Sequence, residues 1–339
     1  INALSVMGDS KFFELLDSKN VIKSRKFINN NINTEKSLIE VLNTLILFSV
    51  SVLRKNNDQI HPIILINGVK NIIGDNRKNP SKVLLNFSID YLKSFELRRG
   101  DDKIIDLVLK EGPRESEFIS DLHDACQEGD LKKIKNISAR IFVVSERSRA
   151  VLDALVEVIL QNVESSILFA YHLLRSFQFQ YSKNIWTFIC SIIQEMEFIS
   201  LPKPHGSSGL SPFEIKSKMI LSGEINLFSS AERLWSGDYV RIRSYQRELS
   251  HWIFLVSRRD QKKYHKNSPK FSFKDKKNNF FIDIAESIIL DNSKSTQTKA
   301  MHLVNLESIR AMKKTSNPDQ LKLLENYFSG IMENENWGI

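Results

Sequence analysis

One nine-residue pattern occurs three times along the chain, and it constrains the fold more than any other feature. It reads Leu15-Leu16-Asp17-Ser18-Lys19-Asn20-Val21-Ile22-Lys23, then Ala125-Cys126-Gln127-Glu128-Gly129-Asp130-Leu131-Lys132-Lys133, then Arg233-Leu234-Trp235-Ser236-Gly237-Asp238-Tyr239-Val240-Arg241, at spacings of 110 and 108 residues. In two copies a Gly-Asp pair separates helical patterns. Glycine can end one helix in a left-handed conformation, and aspartate can cap the next. A second pattern follows each first one: His61 to Val69, Ser165 to Leu173, and Lys299 to Glu307. Copies one and three agree further, since Asn79-Pro80 and Asn317-Pro318 lie 238 residues apart. An Asn-Pro pair ends one helix and starts another.

Between these patterns, stretches such as Ser37 to Leu53 and Arg149 to Leu160 carry apolar residues at three- and four-residue steps, the period of a helix with one buried face. Only 12 glycines and 8 prolines are present, too few for the many tight turns of a β-sandwich or barrel. The expected fold is all-α: three diverged helical repeat units of about five helices each, packed into a multi-helix bundle or short solenoid. The units are placed at 1–100, 116–200 and 210–339. The charged stretch Arg98 to Glu115 joins the first two, and the breaker-rich Pro202 to Gly209 joins the last two. Unit three carries a basic insertion at about 258–279.

With 42% hydrophobic and 26% charged side chains over 339 residues, a large core can be buried. No apolar run reaches the roughly 18 residues of a membrane span, and the first residues show no signal pattern. No membrane association is expected, and the cytoplasm is the default location. Cys126 and Cys190 are too few for a disulfide framework or a thiolate metal cluster. The net charge of +8 is spread along the chain, so it reads as a generic basic surface. Nucleic-acid binding through the insertion, where Tyr264, Phe271 and Phe273 interleave with lysines, ranks last.

Catalytic signatures are absent: no nucleophile elbow, no phosphate-binding loop and no dinucleotide fingerprint. Seven histidines are the remaining source of chemistry. His61, His172 and His302 fall one per copy in the second pattern, and His251 comes from the long helical stretch of unit three. Imidazoles converging in a helical core are a known way to hold iron. Lys299 stands three residues before His302, on the same helical face. Phe169, Tyr171, Trp252 and Met301 are candidates for the walls of an apolar substrate pocket. His205 in the linker and His265 in the insertion are expected to face solvent, and His123 has no counterpart in the other units.

The His61-Pro62-Ile63-Ile64 start, the His172-Leu173-Leu174-Arg175 segment and the Lys299/His302 pair resemble motifs of the questin-oxidase-like proteins. The resemblance implies a helical, repeat-built non-haem iron oxygenase acting on aromatic small molecules. In it His61, His172, Lys299 and His302 would serve as ligands, the lysine as a carbamate. Two departures stand out: Leu65 occupies the place of a further family histidine, and the final pair runs Lys-x-x-His where the family tends to run His-x-x-Lys. The alternative expectation is a non-enzymatic helical scaffold or ligand-binding protein.

Overall fold

A computed structural model describes residues 11–112, 117–259, 271–274, 276 and 279–335. Among them the chain is built of helices, with a single two-residue antiparallel pair, β1 (Val52–Leu53) against β2 (Glu96–Leu97). All-α is therefore the fold class. The helices run α1 (Lys11–Asp17), α2 (Val21–Asn31), α3 (Glu35–Val50), α4 (Pro62–Ile73), α5 (Lys82–Leu92) and α6 (Lys103–Glu111). Then come α7 (Ile119–Glu128), α8 (Leu131–Val144), α9 (Ala150–Ile159), α10 (Val163–Phe177) and α11 (Ile185–Glu195). The last are α12 (Pro212–Ser222), α13 (Ile225–Trp235), α14 (Ile242–Ser257), α15 (Phe280–Leu290), α16 (Thr296–Thr315) and α17 (Pro318–Glu335).

Capping chemistry explains where the helices begin. At the first repeated pattern Gly129 takes φ +75° and ends α7, and the Asp130 carboxylate accepts from the backbone N–H groups of Lys132 and Lys133 to start α8. Copy one reproduces that geometry with other residues. Lys19 sits at φ +54°, and the Asn20 side chain accepts from the Lys23 N–H at 3.0 Å to start α2. The third copy departs from expectation. Gly237 is not left-handed, and Asp238 caps nothing, because α14 begins only at Ile242. Glycine is required there for space, since a Cβ at 237 would run into the Tyr239 ring. Asn317 caps α17 as expected, accepting from Gln320 N–H at 2.9 Å, whereas Pro80 precedes the true cap of α5, Ser81.

The second repeated pattern lies in α4, α10 and α16. Helix α4 packs on both α10 and α16, and α13 packs on those same two from the opposite side, so the four helices close a bundle. Its interior is filled by fully buried residues such as Leu65, Ile167, Leu174, Phe228, Leu303 and Leu306. Each contributes on the order of 1.5–3 kcal/mol by leaving water. Helix α3 packs along α4, α15 leans on α16 and α5, and α12 bridges α13 and α17.

The joints are more ordered than their composition suggests. The linker around Pro202–Gly209 has no helix, yet Ser207 and Ser208 bond to Ser250, and His205 bonds through its N–H and ring to the Glu248 carboxylate. Most of the basic insertion, with Tyr264 and His265, lies outside the described residues. Phe271 and Phe273 pack against Phe280 and Phe328 as part of the core, not as a base-stacking platform. Among the described residues no helix is long and apolar enough to cross a membrane.

Candidate functional site

Where the C-terminal turns of α4 and α10 meet α16 and the edge of α3, a cleft of about 600 Å³ opens. Helical spacing puts its polar groups there. Lys70 and Asn71 come from the last turn of α4, Tyr171 and Arg175 are four apart on α10, and Glu307, Arg310 and Lys314 step along one face of α16. Arg233 enters from α13. Six cations line the cleft against three carboxylates, Glu35, Asp75 and Glu307, so it carries a net positive field.

Two of the arginines are held by acids, one buried and one half-buried. Arg233 forks onto Glu307 with N–O distances of 2.6 and 3.0 Å, and its guanidinium lies 4.2 Å from the centre of the Tyr171 ring. Asn71 donates to the same carboxylate at 2.9 Å. Burial opposes the ionisation of Glu307, but Arg233 more than offsets it and the carboxyl is drawn down to about 2. Arg310 is paired in the same bidentate way with Asp75.

Of the remaining four, Lys314 faces Asp75 at 3.7 Å, and Lys70 and Arg175 have neutral partners. The Lys70 ammonium donates to Asn71 Oδ1 at 2.9 Å and lies 5.2 Å from the centre of the Phe179 ring; Arg175 donates to Gln178 Oε1 at 2.8 Å. Among the described residues neither forms an ion pair. Burial, and then the neighbouring Arg175, pull the Lys70 ammonium down to about 8, against a weaker opposing pull from Glu307. A smaller pocket of about 270 Å³ adjoins across the Asp75–Arg310 pair and adds Lys276 and Lys313.

The residues singled out in the sequence occupy separate places. His61 is the N-cap of α4: its Nδ1 accepts from Ile63 N–H at 3.1 Å, which leaves the proton on Nε2, 3.3 Å from Ser191 Oγ. Its ring packs on Phe169, and burial followed by Arg54 and Arg98 keeps it neutral. His172 is fully buried behind the cleft, with Nδ1 2.8 Å from Asn67 Nδ2, and burial draws it down to about 3. Its Nε2 has no hydrogen-bond partner. His251 stacks on His205 with ring centres 3.9 Å apart. Lys299 donates to the Ile289 carbonyl at 2.7 Å, and His302 faces Glu335 at 3.5 Å.

These five residues do not assemble one coordination sphere. Among the described residues no three histidine, cysteine, aspartate or glutamate side chains converge as a metal site. The His61 Nδ1 lone pair is committed to a helix cap, and the Lys299 ammonium to a carbonyl. Of the expected pocket walls, Tyr171 lines the cleft, Phe169 packs on His61, Trp252 is buried in α14, and Met301 is 53% exposed. Sequence reading passed over Lys70, Asn71 and Arg233 as site residues. The signal was available in part, because Tyr171/Arg175 and Glu307/Arg310/Lys314 each repeat at helical spacing next to the second pattern.

No family model, no curated protein and no solved structure matches the chain.

Proposed function

We propose that the protein is a helical ligand-binding protein whose cleft takes a small anionic molecule. The observation that carries this reading is the pair of cations without carboxylate partners, Lys70 and Arg175, on the wall of a 600 Å³ cleft framed by two fixed arginine–carboxylate forks. A charge-assisted hydrogen bond from each would replace the neutral contacts it now makes. The same reading treats α1–α5, α7–α11 and α13–α17 as three diverged five-helix units. It is supported by the second pattern lying on the fourth helix of each, and by the shared left-handed turn and cap at Lys19-Asn20 and Gly129-Asp130.

Sulfate is the probe of choice, because its charge is constant across neutral and alkaline pH. Calorimetric titration is expected to show saturable binding, weakened about 10- to 100-fold in Arg175→Gln by loss of one charge-assisted bond worth about 1.5–3 kcal/mol. Affinity should also fall as pH rises through about 8, because the Lys70 cation is present below that value and lost above it. Equal affinity in the native and Arg175→Gln proteins would sink the reading. Elemental analysis separates it from the oxygenase that the resemblance implies. About one iron per chain, lost on replacing His61 or His302 with alanine, would move the chemistry to those histidines.

A further inference from the structure

We propose that Lys70 is a nucleophilic amine that forms an imine with the carbonyl group of an anionic aldehyde or ketone held in the cleft. The proposal rests on the anion-binding reading and goes beyond it by assigning a covalent step and a ligand class. A lysine that performs this step needs an accessible Nζ, no carboxylate to hold it as ammonium, and a nearby cation to orient the ligand. Lys70 meets all three. It is half-buried on the cleft wall in the last turn of α4, and its one hydrogen bond among the described residues is to the neutral Asn71 Oδ1 at 2.9 Å. Arg175, Arg233 and Arg310 line the same cleft.

Most other buried or half-buried lysines are committed elsewhere, while half-buried Lys276 and Lys313 lie against phenylalanine rings in the smaller adjoining pocket. Lys216 is locked between Glu232 and Thr315 at 2.7 Å each, Lys299 donates to the Ile289 carbonyl, and Lys294 pairs with Glu335 at 2.8 Å. The arginines near Lys70 act twice: they disfavour its protonated form, and they attract the carboxylate or phosphate of the incoming ligand. With the ammonium drawn down to about 8, roughly one-tenth of Lys70 is neutral at pH 7, against less than one in a thousand for an ordinary lysine.

The step balances without an oxidant or reductant. The Nζ lone pair forms a bond to the carbonyl carbon as the C=O π pair moves to oxygen, and one amine proton passes to that oxygen to give a carbinolamine. The nitrogen lone pair then forms C=N as the hydroxyl leaves with the second amine proton as water. Asn71 Oδ1, which accepts one N–H, fixes the direction of the remaining lone pair.

Pyridoxal 5'-phosphate, an aldehyde carrying a phosphate, is the probe. The native full-length chain is mixed with one equivalent near neutral pH, reduced with borohydride, and the secondary amine located by peptide mass. The expected result is a single label on Lys70, formed about 100-fold faster than on an average surface lysine. Sulfate should slow it, and Lys70→Arg should remove it. Label spread over surface lysines, with Lys70 unmarked in the native chain, overturns the covalent step. If sulfate still binds in that case, the anion-binding reading survives. If neither sulfate binding nor Lys70 labelling is seen, both are overturned.

Discussion

Replacing Glu307 with alanine is expected to destabilise the protein by about 3–5 kcal/mol, enough to lower a denaturant midpoint far outside experimental scatter. Glu307 is fully buried in α16 and accepts both arms of Arg233 together with the Asn71 amide. Removing it leaves a largely buried guanidinium with no carboxylate on its fork, facing only the Ser229 carbonyl and the Tyr171 ring among the contacts it now makes. That uncompensated charge, more than the lost attraction, makes the change costly. A double replacement, Arg233→Met with Glu307→Leu, should therefore recover most of the loss. If it melts no higher than Glu307→Ala, the cost is packing and not charge.

The same pair sets a pH dependence. The Glu307 carboxyl is drawn from its ordinary 4.5 to about 2 in the folded protein. A lowered folded value adds stability that is fully present above the unfolded value and lost as pH falls through the folded one. The window here is pH 4.5 down to 2, with about 3 kcal/mol at stake. Urea unfolding of the native chain at pH 6 and pH 3 should show about 2 kcal/mol of that loss, the rest following as pH falls to 2, and Glu307→Gln should show a flatter profile over the same interval.

Much of this fold was legible because helix formation is local. The stripe Val151, Leu152, Leu155, Val158 and Ile159 predicts a helix over Arg149 to Leu160, and α9 occupies Ala150–Ile159. Gly129-Asp130 predicts a left-handed stop and a cap, and both are present. The equivalent stop at Lys19 was not legible, since a lysine at positive φ is disfavoured by roughly 1–2 kcal/mol and only tertiary packing selects it. The candidate site was harder to read because its meaning lies between helices. Histidines draw attention as metal ligands, yet His61 works as a cap, a role usually taken by serine, threonine or aspartate. Lys70, by contrast, looks like one of many lysines. Its lowered ammonium comes from burial first, and then from the Arg175, Arg310 and Arg233 guanidiniums supplied by three other helices.

The stretch that opens at Arg98 makes the same point in energetic terms. The sequence marks it only as a charged stretch, but Arg98 is buried and ties three segments together. It donates to the Val52 carbonyl at 2.9 Å, to Val50 at 2.8 Å, to Thr187 at 3.2 Å and to the Asp101 carboxylate at 3.0 Å. Asp101 is buried as well, and burial alone would raise its carboxyl; Arg98 and Lys135 override that and hold it ionised. Arg98→Met should thus cost about 3–5 kcal/mol, through three carbonyls that lose a donor and one under-compensated carboxylate. Arg98→Lys tests whether charge or shape carries the effect. An ammonium can face Asp101, but it lacks the planar fork that reaches the end of α3, β1 and α11 together, so lysine should restore less than half of the loss. Denaturant midpoints of the two variants, compared at equal m, decide it. A methionine variant within about 1 kcal/mol of the parent would show that these contacts contribute little to stability.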